Sequence, residues 1–295
     1  MLEMVNSPIG IAGAGRIGQA LGRLLLDRGE PVVAVAGRDF QRTKAAAAFI
    51  GIRPVSYTEL PGLCSRILIA VPDDALDSVV HVLSETMQGG IALHTCGTRG
   101  PEALAPLEAT GVCCAAMHPL QTVTTPQQGL AALPGAAFGI TGPESPALAW
   151  ALQIAALLQG EALRIHPEQR TLYHAAAVMA SNYTVVLLDA AVMLMKEAGV
   201  EEQQALRALT PLIRASVENA LTAGPLQALT GPIERGDSGT VAAHLRALSC
   251  ALVPKSVKAL YRAGGSHAID MAGKKRPGAD RNDMERMFRK AAEHE

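Results

Sequence analysis

The chain has 295 residues, 49% of them apolar, and a formal net charge of −1. That length suffices for two domains with cores of their own, and so small a net charge provides no positive field for nucleic acid or an anionic membrane surface. A small molecule or a protein is the expected partner. The five cysteines, Cys64, Cys96, Cys113, Cys114 and Cys250, form no CxxC pair. They point to a reducing compartment and away from both a disulfide scaffold and a structural zinc site, so no metal is expected. The stretch MLEMVNSPIG lacks a basic segment before a sustained apolar run, which argues against a cleaved leader and makes the cytoplasm the expected location.

In chain order, Ile9 to Ala12 is an apolar strand that runs into GAGRIG. Residues 16 to 28 follow as a helix with Ile17, Ala20, Leu21, Leu24 and Leu25 on its inner side, closed by Gly29. Further strands are expected at 31 to 36, 66 to 71, 90 to 95, 112 to 117 and 136 to 141, and 163 to 165 would add an edge. Helices are expected at 40 to 49, 75 to 87, 101 to 109 and 146 to 158. Continuous apolar strands alternating with amphipathic helices require a parallel sheet covered on both faces. From residue 167 only helices are expected: one long helix from 168 to 198, then 201 to 208, 211 to 223, 241 to 248, 254 to 262, and a short amphipathic piece at 284 to 292. The span 175 to 195 carries Asp189 as its single charge. Ser181, Asn182 and Asp189 would be costly in lipid, so a buried central helix is expected there rather than a membrane span. The basic run Lys274 to Arg276 reads as a solvated surface in a partly disordered tail.

Gly13, Ala14, Gly15, Arg16, Ile17 and Gly18 form GxGxxG between the first strand and its helix. Gly13 suits the tight turn, Gly15 the close approach of a pyrophosphate, and Gly18 close helix packing, with phosphate on the helix N-terminus. The fold class is therefore α/β: a Rossmann-type parallel sheet domain, residues 1–163, followed by an all-helical domain, residues 164–295. An NAD enzyme usually presents an acidic residue at the end of the second strand. This chain has Ala36-Gly37-Arg38-Asp39, then Arg42 and Lys44. Arg38 and Arg42 could pair with a 2′-phosphate through charge-assisted forks, which favours NADP(H), while Asp39 keeps NAD(H) open. The ends of later strands should add Val71, Pro72 and Thr95 to the nucleotide site. Asp74 is expected to cap the next helix. His94 and His118 both fall where nicotinamide could lie, with His94 the better fit to a loop-fixing role. Cys96 has no activating partner in view.

On the long helix, His174, Ser181, Asn182 and Asp189 share an arc of roughly 100 degrees, a sparse polar stripe that could line a pocket, a core network or a dimer contact. The segment Thr230-Gly231-Pro232-Ile233-Glu234-Arg235-Gly236-Asp237 is a shaped connection, with Arg235 suited to a carboxylate or phosphate and Asp237 to holding it or capping the following helix.

The motifs GAGRIG, HTCG, MHPLQT, YHAAAVMASNY and ALTGPIERGDSGTVAAHLRAL, in this order, resemble a bacterial family that joins a Rossmann-like NADP-binding domain to a helical domain of unknown function (DUF2520). The arrangement is more distantly similar to pyrroline-5-carboxylate reductases and to the 6-phosphogluconate and 3-hydroxyisobutyrate dehydrogenases. The resemblance implies dimers in which helical domains pack together and complete the active sites. It also implies a difference, because Val178 stands where hydroxyacid dehydrogenases carry a catalytic lysine one turn before the asparagine matched by Asn182.

The expected function is NADP(H)-dependent transfer of hydride to or from a small, carboxylate-bearing keto, imino or hydroxy compound. His118 or His174 would move the proton, Asn182 and Gln121 would orient the substrate, and Arg235 would bind its anionic group. A deazaflavin-dependent NADP reductase and an NADP(H) sensor or scaffold without turnover are the alternatives. A homodimer through the helical domain is expected, without nucleic acid or membrane.

Overall fold

The computed structural model describes residues 7–278 and 281–293. The first six residues of the stretch behind the leader expectation, and part of the charged tail, lie outside them. Contacts divide the chain into two units, Met1–Asn182 and Tyr183–Glu295.

The first unit is a βα alternation in which short, mostly apolar strands lie between helices. Its elements are β1 (Ile9–Ala12), α1 (Arg16–Asp27), β2 (Val32–Ala36), α2 (Phe40–Ile50), β3 (Arg53–Val55), β4 (Arg66–Ile69), α3 (Leu76–Ser84), β5 (Ile91–His94), α4 (Ala105–Glu108), β6 (Cys113–Pro119), α5 (Pro126–Ala132), β7 (Ala137–Thr141), α6 (Pro146–Leu157), β8 (Glu161–Arg164) and α7 (Arg170–Ala180). The eight strands form one sheet in the order β3-β2-β1-β4-β5-β6-β7-β8. All pairs are parallel except β6 with β7, where Met117 faces Ile140 and His118 faces Gly139 in antiparallel register. Helices cover both faces, so every residue of β1, β4 and β5 is buried, and two apolar layers lie on either side of the sheet. Strand β3 and helix α5 were not anticipated, because three residues around Pro54 and seven behind a Thr-Pro cap carry too short a pattern to read. Asp74 does not cap a helix: it lies in a 3-10 turn, Asp73–Ala75, and α3 starts at Leu76 without a side-chain cap.

The compact unit extends past the expected division at 163, because Arg170 and Tyr173 on α7 pack onto β7. The single long helix expected from 168 is interrupted at Ser181, between α7 and α8 (Asn182–Glu197). Nor is it buried: Leu172, Met179, Tyr183, Val185, Val186 and Leu187 are all 47–74% exposed. By length and composition alone, Pro167–Glu197 is the one stretch among the described residues that could cross a membrane.

The second unit contains the rest of α8, α9 (Glu202–Ala223), α10 (Pro225–Ala228), α11 (Pro232–Arg235), α12 (Ser238–Cys250), α13 (Lys255–Lys275) and α14 (Asn282–Glu293). Its core is small: Val241, Ile269, Met284 and Phe288, flanked by Ile233, Leu245 and Tyr261. Two breaks expected from glycine and proline do not occur. Helix α9 continues through Pro211, where Arg207, the residue whose carbonyl loses its donor, is exposed to water. Helix α13 continues through Gly264 and Gly265, and the bare Cα of Gly265 admits Phe288, whose Cζ lies 2.3 Å from where a Cβ would stand. Lys274 and Arg276 of the basic run are exposed, as expected, yet the run is also tied to this unit. Arg276 pairs with buried Glu234 at 2.8 Å, and Lys275, 3.9 Å from the same oxygen, also donates to the carbonyls of Gln227 and Leu229.

Candidate functional site

The turn after β1 is built by its glycines. Gly13 has φ +132°, and a Cβ there would lie 2.3 Å from the Ala70 carbonyl oxygen. A Cβ on Gly18 would meet the Gly13 carbonyl oxygen at the same distance, so α1 can approach the turn only with glycine there. At Gly15 the nearest atom is 3.8 Å away, which leaves space for a ligand against the backbone. No side chain caps α1, so its first amides face that space.

At the end of β2, Asp39 caps α2 with one carboxylate oxygen, Oδ1, which accepts from the Arg42 amide at 2.8 Å. Thr43 donates to the Asp39 carbonyl, and its hydroxyl fills the space beside Gly37, while Ala14 packs against that glycine from the other side. Arg38 and Arg42 stand exposed at this corner.

A cavity of about 880 Å³ begins at Gly15, Arg16 and Ile17 and runs past Val71, Pro72, Asp73 and Thr95 to His118, Tyr173 and His174. All of its lining belongs to the first unit. Its far wall is Leu120, Val123, Leu163, Ala177 and Val178, with Ser181 and Asn182 as polar points.

The histidine end depends on Arg170, which is 1% exposed. Its guanidinium donates to the carbonyls of Cys96 and Arg99 and, at 3.0 Å, to the Thr141 hydroxyl, tying the loop after β5 to β7. That loop brings Gly97 between two imidazoles. A Cβ at residue 97 would lie 2.9 Å from His174 Nε2 and 3.1 Å from His118 Nε2, with His174 Cδ2 closer still. The two histidine rings meet edge to face, their centroids 5.7 Å apart. Tyr173 and His118 share a hydrogen bond, Oη to Nδ1, of 3.0 Å. Burial, then the charges of His174 and Arg170, push the His118 imidazolium down to about 4.

His94 has the loop-fixing role. It receives the Cys96 amide on Nδ1 and faces the Gly100 carbonyl with Nε2 at 2.9 Å, so Nε2 carries the proton; burial pushes its pKa down to about 4. Burial also raises the Cys96 thiol, which keeps it protonated and unreactive. Gln121 lines the cavity, but its amide donates to the Ala132 carbonyl at the end of α5 and accepts from the Thr122 amide. Arg235 lies on α11 in the second unit, exposed, and Asp237 caps α12 through the Thr240 amide and hydroxyl instead of holding Arg235. Asp189 does not line the cavity. Sequence reading missed Arg170, Tyr173 and Gly97. Tyr173 is adjacent to His174 and Gly97 lies in HTCG, but nothing local shows that β7 brings them together.

A sheet that ends in a glycine turn, with a cavity at the carboxyl ends of its strands, defines the Rossmann-like class of fold. Residues 2–119 match the model of a Rossmann-like domain and residues 136–268 that of a domain of unknown function, DUF2520. The chain thus joins a Rossmann-like domain to a DUF2520 domain, the combination its motifs resemble. Two solved structures, from Thermotoga maritima and Bacteroides fragilis, are similar to it at 21% identity, with TM-scores of 0.72 and 0.74; each match covers 90% of this chain and 99% of the other. A Streptomyces aurantiacus imine reductase matches at 14% identity and a TM-score of 0.61, over 97% of this chain and 93% of its own. No curated protein matches the sequence.

Proposed function

We propose that the chain is an NADP(H)-dependent oxidoreductase acting on a small carbonyl, imino or hydroxy compound. The observation that carries this reading is that one cavity joins the glycine turn at Gly15 to the His118–His174 pair. The similar Bacteroides protein is described as a candidate NADP oxidoreductase, and the imine reductase and a Plasmodium falciparum pyrroline carboxylate reductase with NADP bound share the fold. The residues present fit the nucleotide. Gly15 and the uncapped amides of α1 accept a pyrophosphate, and Arg38 and Arg42 accept a 2′-phosphate. Val71, Pro72 and Thr95 border the way to the histidines. Asp39 gives one carboxylate oxygen to the helix cap, and the exposed Arg38 and Arg42 beside it supply the positive charge that a 2′-phosphate calls for. When bound, the nucleotide supplies or accepts the hydride. The chain's own part is to hold the substrate against Leu120, Val123 and Val178, orient it through Asn182, and provide the proton at a histidine.

Calorimetric titration with NADPH and NADH in parallel tests the reading. The expected result is tighter NADPH binding by at least tenfold, about 1.4 kcal/mol, falling to parity in Arg38→Ala/Arg42→Ala. Equal affinities would remove the 2′-phosphate assignment, and no binding of either nucleotide would remove the oxidoreductase reading.

A homodimer through the helical domain belongs to the same proposal. Val185, Leu187, Leu212, Val217 and Leu221 are 45–78% exposed, an apolar surface that association would cover. Sedimentation should give twice the chain mass, whereas a monomer that needs detergent to stay in solution would overturn the dimer.

A further inference from the structure

One wall of the cavity is graded along its length, and the grading names a substrate class; the inference deepens the oxidoreductase reading and rests on it. On α7 the residues that are not exposed are Arg170, Tyr173, His174, Ala177 and Val178, a stripe at helical spacing. Ser181 and Asn182, four positions beyond Ala177 and Val178, continue that stripe. The wall therefore runs from an imidazole through an apolar turn to two hydrogen-bonding side chains, all of them lining the cavity. Seven positions separate His174 from Ser181, about 10 Å along the helix axis. Leu120, Val123 and Leu163 line the same cavity. Leu163 is the one residue of β8 that is not exposed. Leu120 and Val123 flank a braced loop, in which Gln121 donates to the Ala132 carbonyl while Gln128 donates to the Thr122 carbonyl and accepts from the Thr124 amide. Val123 is seated on Gly129, where a Cβ would lie 3.0 Å from its Cγ1. We propose that the substrate has its reacting carbon at the histidines, an apolar body against Leu120, Val123, Leu163 and Val178, and a second hydrogen-bonding group that meets Ser181 or Asn182.

The spacing sets the size of that body. A hydrogen bond of about 3 Å at each end leaves about 4 Å between the two polar groups, a spacer of roughly three to five carbons. Its methylenes leave water for four aliphatic side chains, which favours binding in proportion to the area covered. A hydroxyl on each of those carbons, as in a sugar aldehyde or a sugar acid, would lose its water partners against the same side chains and find no replacement. A two-carbon substrate would reach the histidines but leave the apolar turn at Ala177 and Val178 uncovered and the hydrogen-bonding pair out of reach.

The test reads binding without turnover, because the oxidised nucleotide has no hydride to give a ketone. The full chain with labelled leucine and valine methyl groups is saturated with NADP⁺. It is then titrated with straight 2-alkanones of increasing length, each with and without a terminal hydroxyl, and with fructose as a ketone hydroxylated on every other carbon. The methyl signals of Leu120, Val123, Leu163 and Val178 should move, and the dissociation constant should fall about 4-fold for each methylene added. A terminal hydroxyl should tighten binding about 5-fold when the spacer reaches three to five carbons. Fructose should bind more weakly than 2-hexanone. In Ser181→Ala/Asn182→Ala the advantage of the terminal hydroxyl should vanish, and Val178→Thr, which keeps the side-chain shape and adds a hydroxyl, should weaken the longer ketones most. A dissociation constant that does not fall with chain length, tighter binding of fructose, or a hydroxyl advantage that survives the double substitution overturns this inference and leaves the oxidoreductase reading standing. The wild-type series decides the first two whether or not the variants fold. Failure of NADP⁺ itself to bind overturns both.

Discussion

The two units hold their shape by different means. In the first, a sheet with two apolar layers buries whole strands, and the strand ends are tied by backbone and buried polar groups such as Arg170 and Arg66. In the second, the helices share a core of four buried side chains, supplemented by the Glu234–Arg276 pair. Stability in the first unit is spread over many apolar contacts, so no single one dominates. In the second it depends on a few, above all on the seat of Phe288 against Gly265.

The sharpest way to break this contrast is Phe288→Ala, which empties a site where the ring is 3% exposed. A loss of about 3–5 kcal/mol is expected, confined to the helical unit. Hydrogen exchange should show α12, α13 and α14 losing protection while β1, β4 and β5 keep theirs. Uniform loss across both units would mean that the two cores are not independent.

Acid should act on the opposite half. His94 and His118 are both held near 4, below the ordinary value of 6.5, so the unfolded chain binds more protons between those limits. Stability is then complete above pH 6.5 and falls as the pH drops toward 4, by on the order of 1–3 kcal/mol per histidine. Urea midpoints at pH 7 and pH 4.5 check the sign, and His94→Gln should flatten part of the slope.

This division also marks what could be read in the sequence. The glycine turn, the strands at 9–12, 66–69 and 91–94, and the helices between them follow from local pattern, because a strand buried on both faces has to be apolar along most of its length. His118, His174 and Asn182 were reachable for the same reason, as polar points at strand ends or on a helix face. The segmentation of the helical half was not legible. Pro211 and Gly265 read as breaks, yet the first is tolerated where its orphaned carbonyl meets water and the second is required by a ring 23 positions further along the chain. Tyr173, Arg170 and Gly97 stayed hidden because their roles come from β7 running antiparallel to β6, a topological fact with no local signal.

Gly18→Ala tests the first unit where it is least forgiving. A Cβ at residue 18 would lie 2.3 Å from the Gly13 carbonyl oxygen, 3.2 Å from Ile11 and 3.3 Å from Ala70. The backbone cannot yield as a flexible side chain would, so α1 must shift away from the turn. A cost of about 1–3 kcal/mol is expected, with a loss of NADPH binding larger than that of global stability. Gly15→Ala, with nothing closer than 3.8 Å, should leave stability unchanged and still weaken the nucleotide. Equal effects of the two substitutions on binding and on melting would show that the turn serves packing alone.

Glu234→Gln has the smallest expected effect and probes the polar support of the helical unit. The carboxylate is buried, with a side chain 6% exposed, but its nearer partner, Arg276, is 58% exposed and can be hydrated once released. Lys275 keeps the carbonyls of Gln227 and Leu229, so it is not stranded either. The expected loss is therefore about 1 kcal/mol, well below that for breaking a fully buried pair. It should be insensitive to salt if the hydrogen bonding of the amide replaces that of the carboxylate, and it should shrink in 1 M salt if Coulomb attraction carries it. Thermal melts of the wild type and the variant at low and high salt separate the two. A loss as large as that of Phe288→Ala would move the main support of this unit from its apolar core to its buried carboxylate.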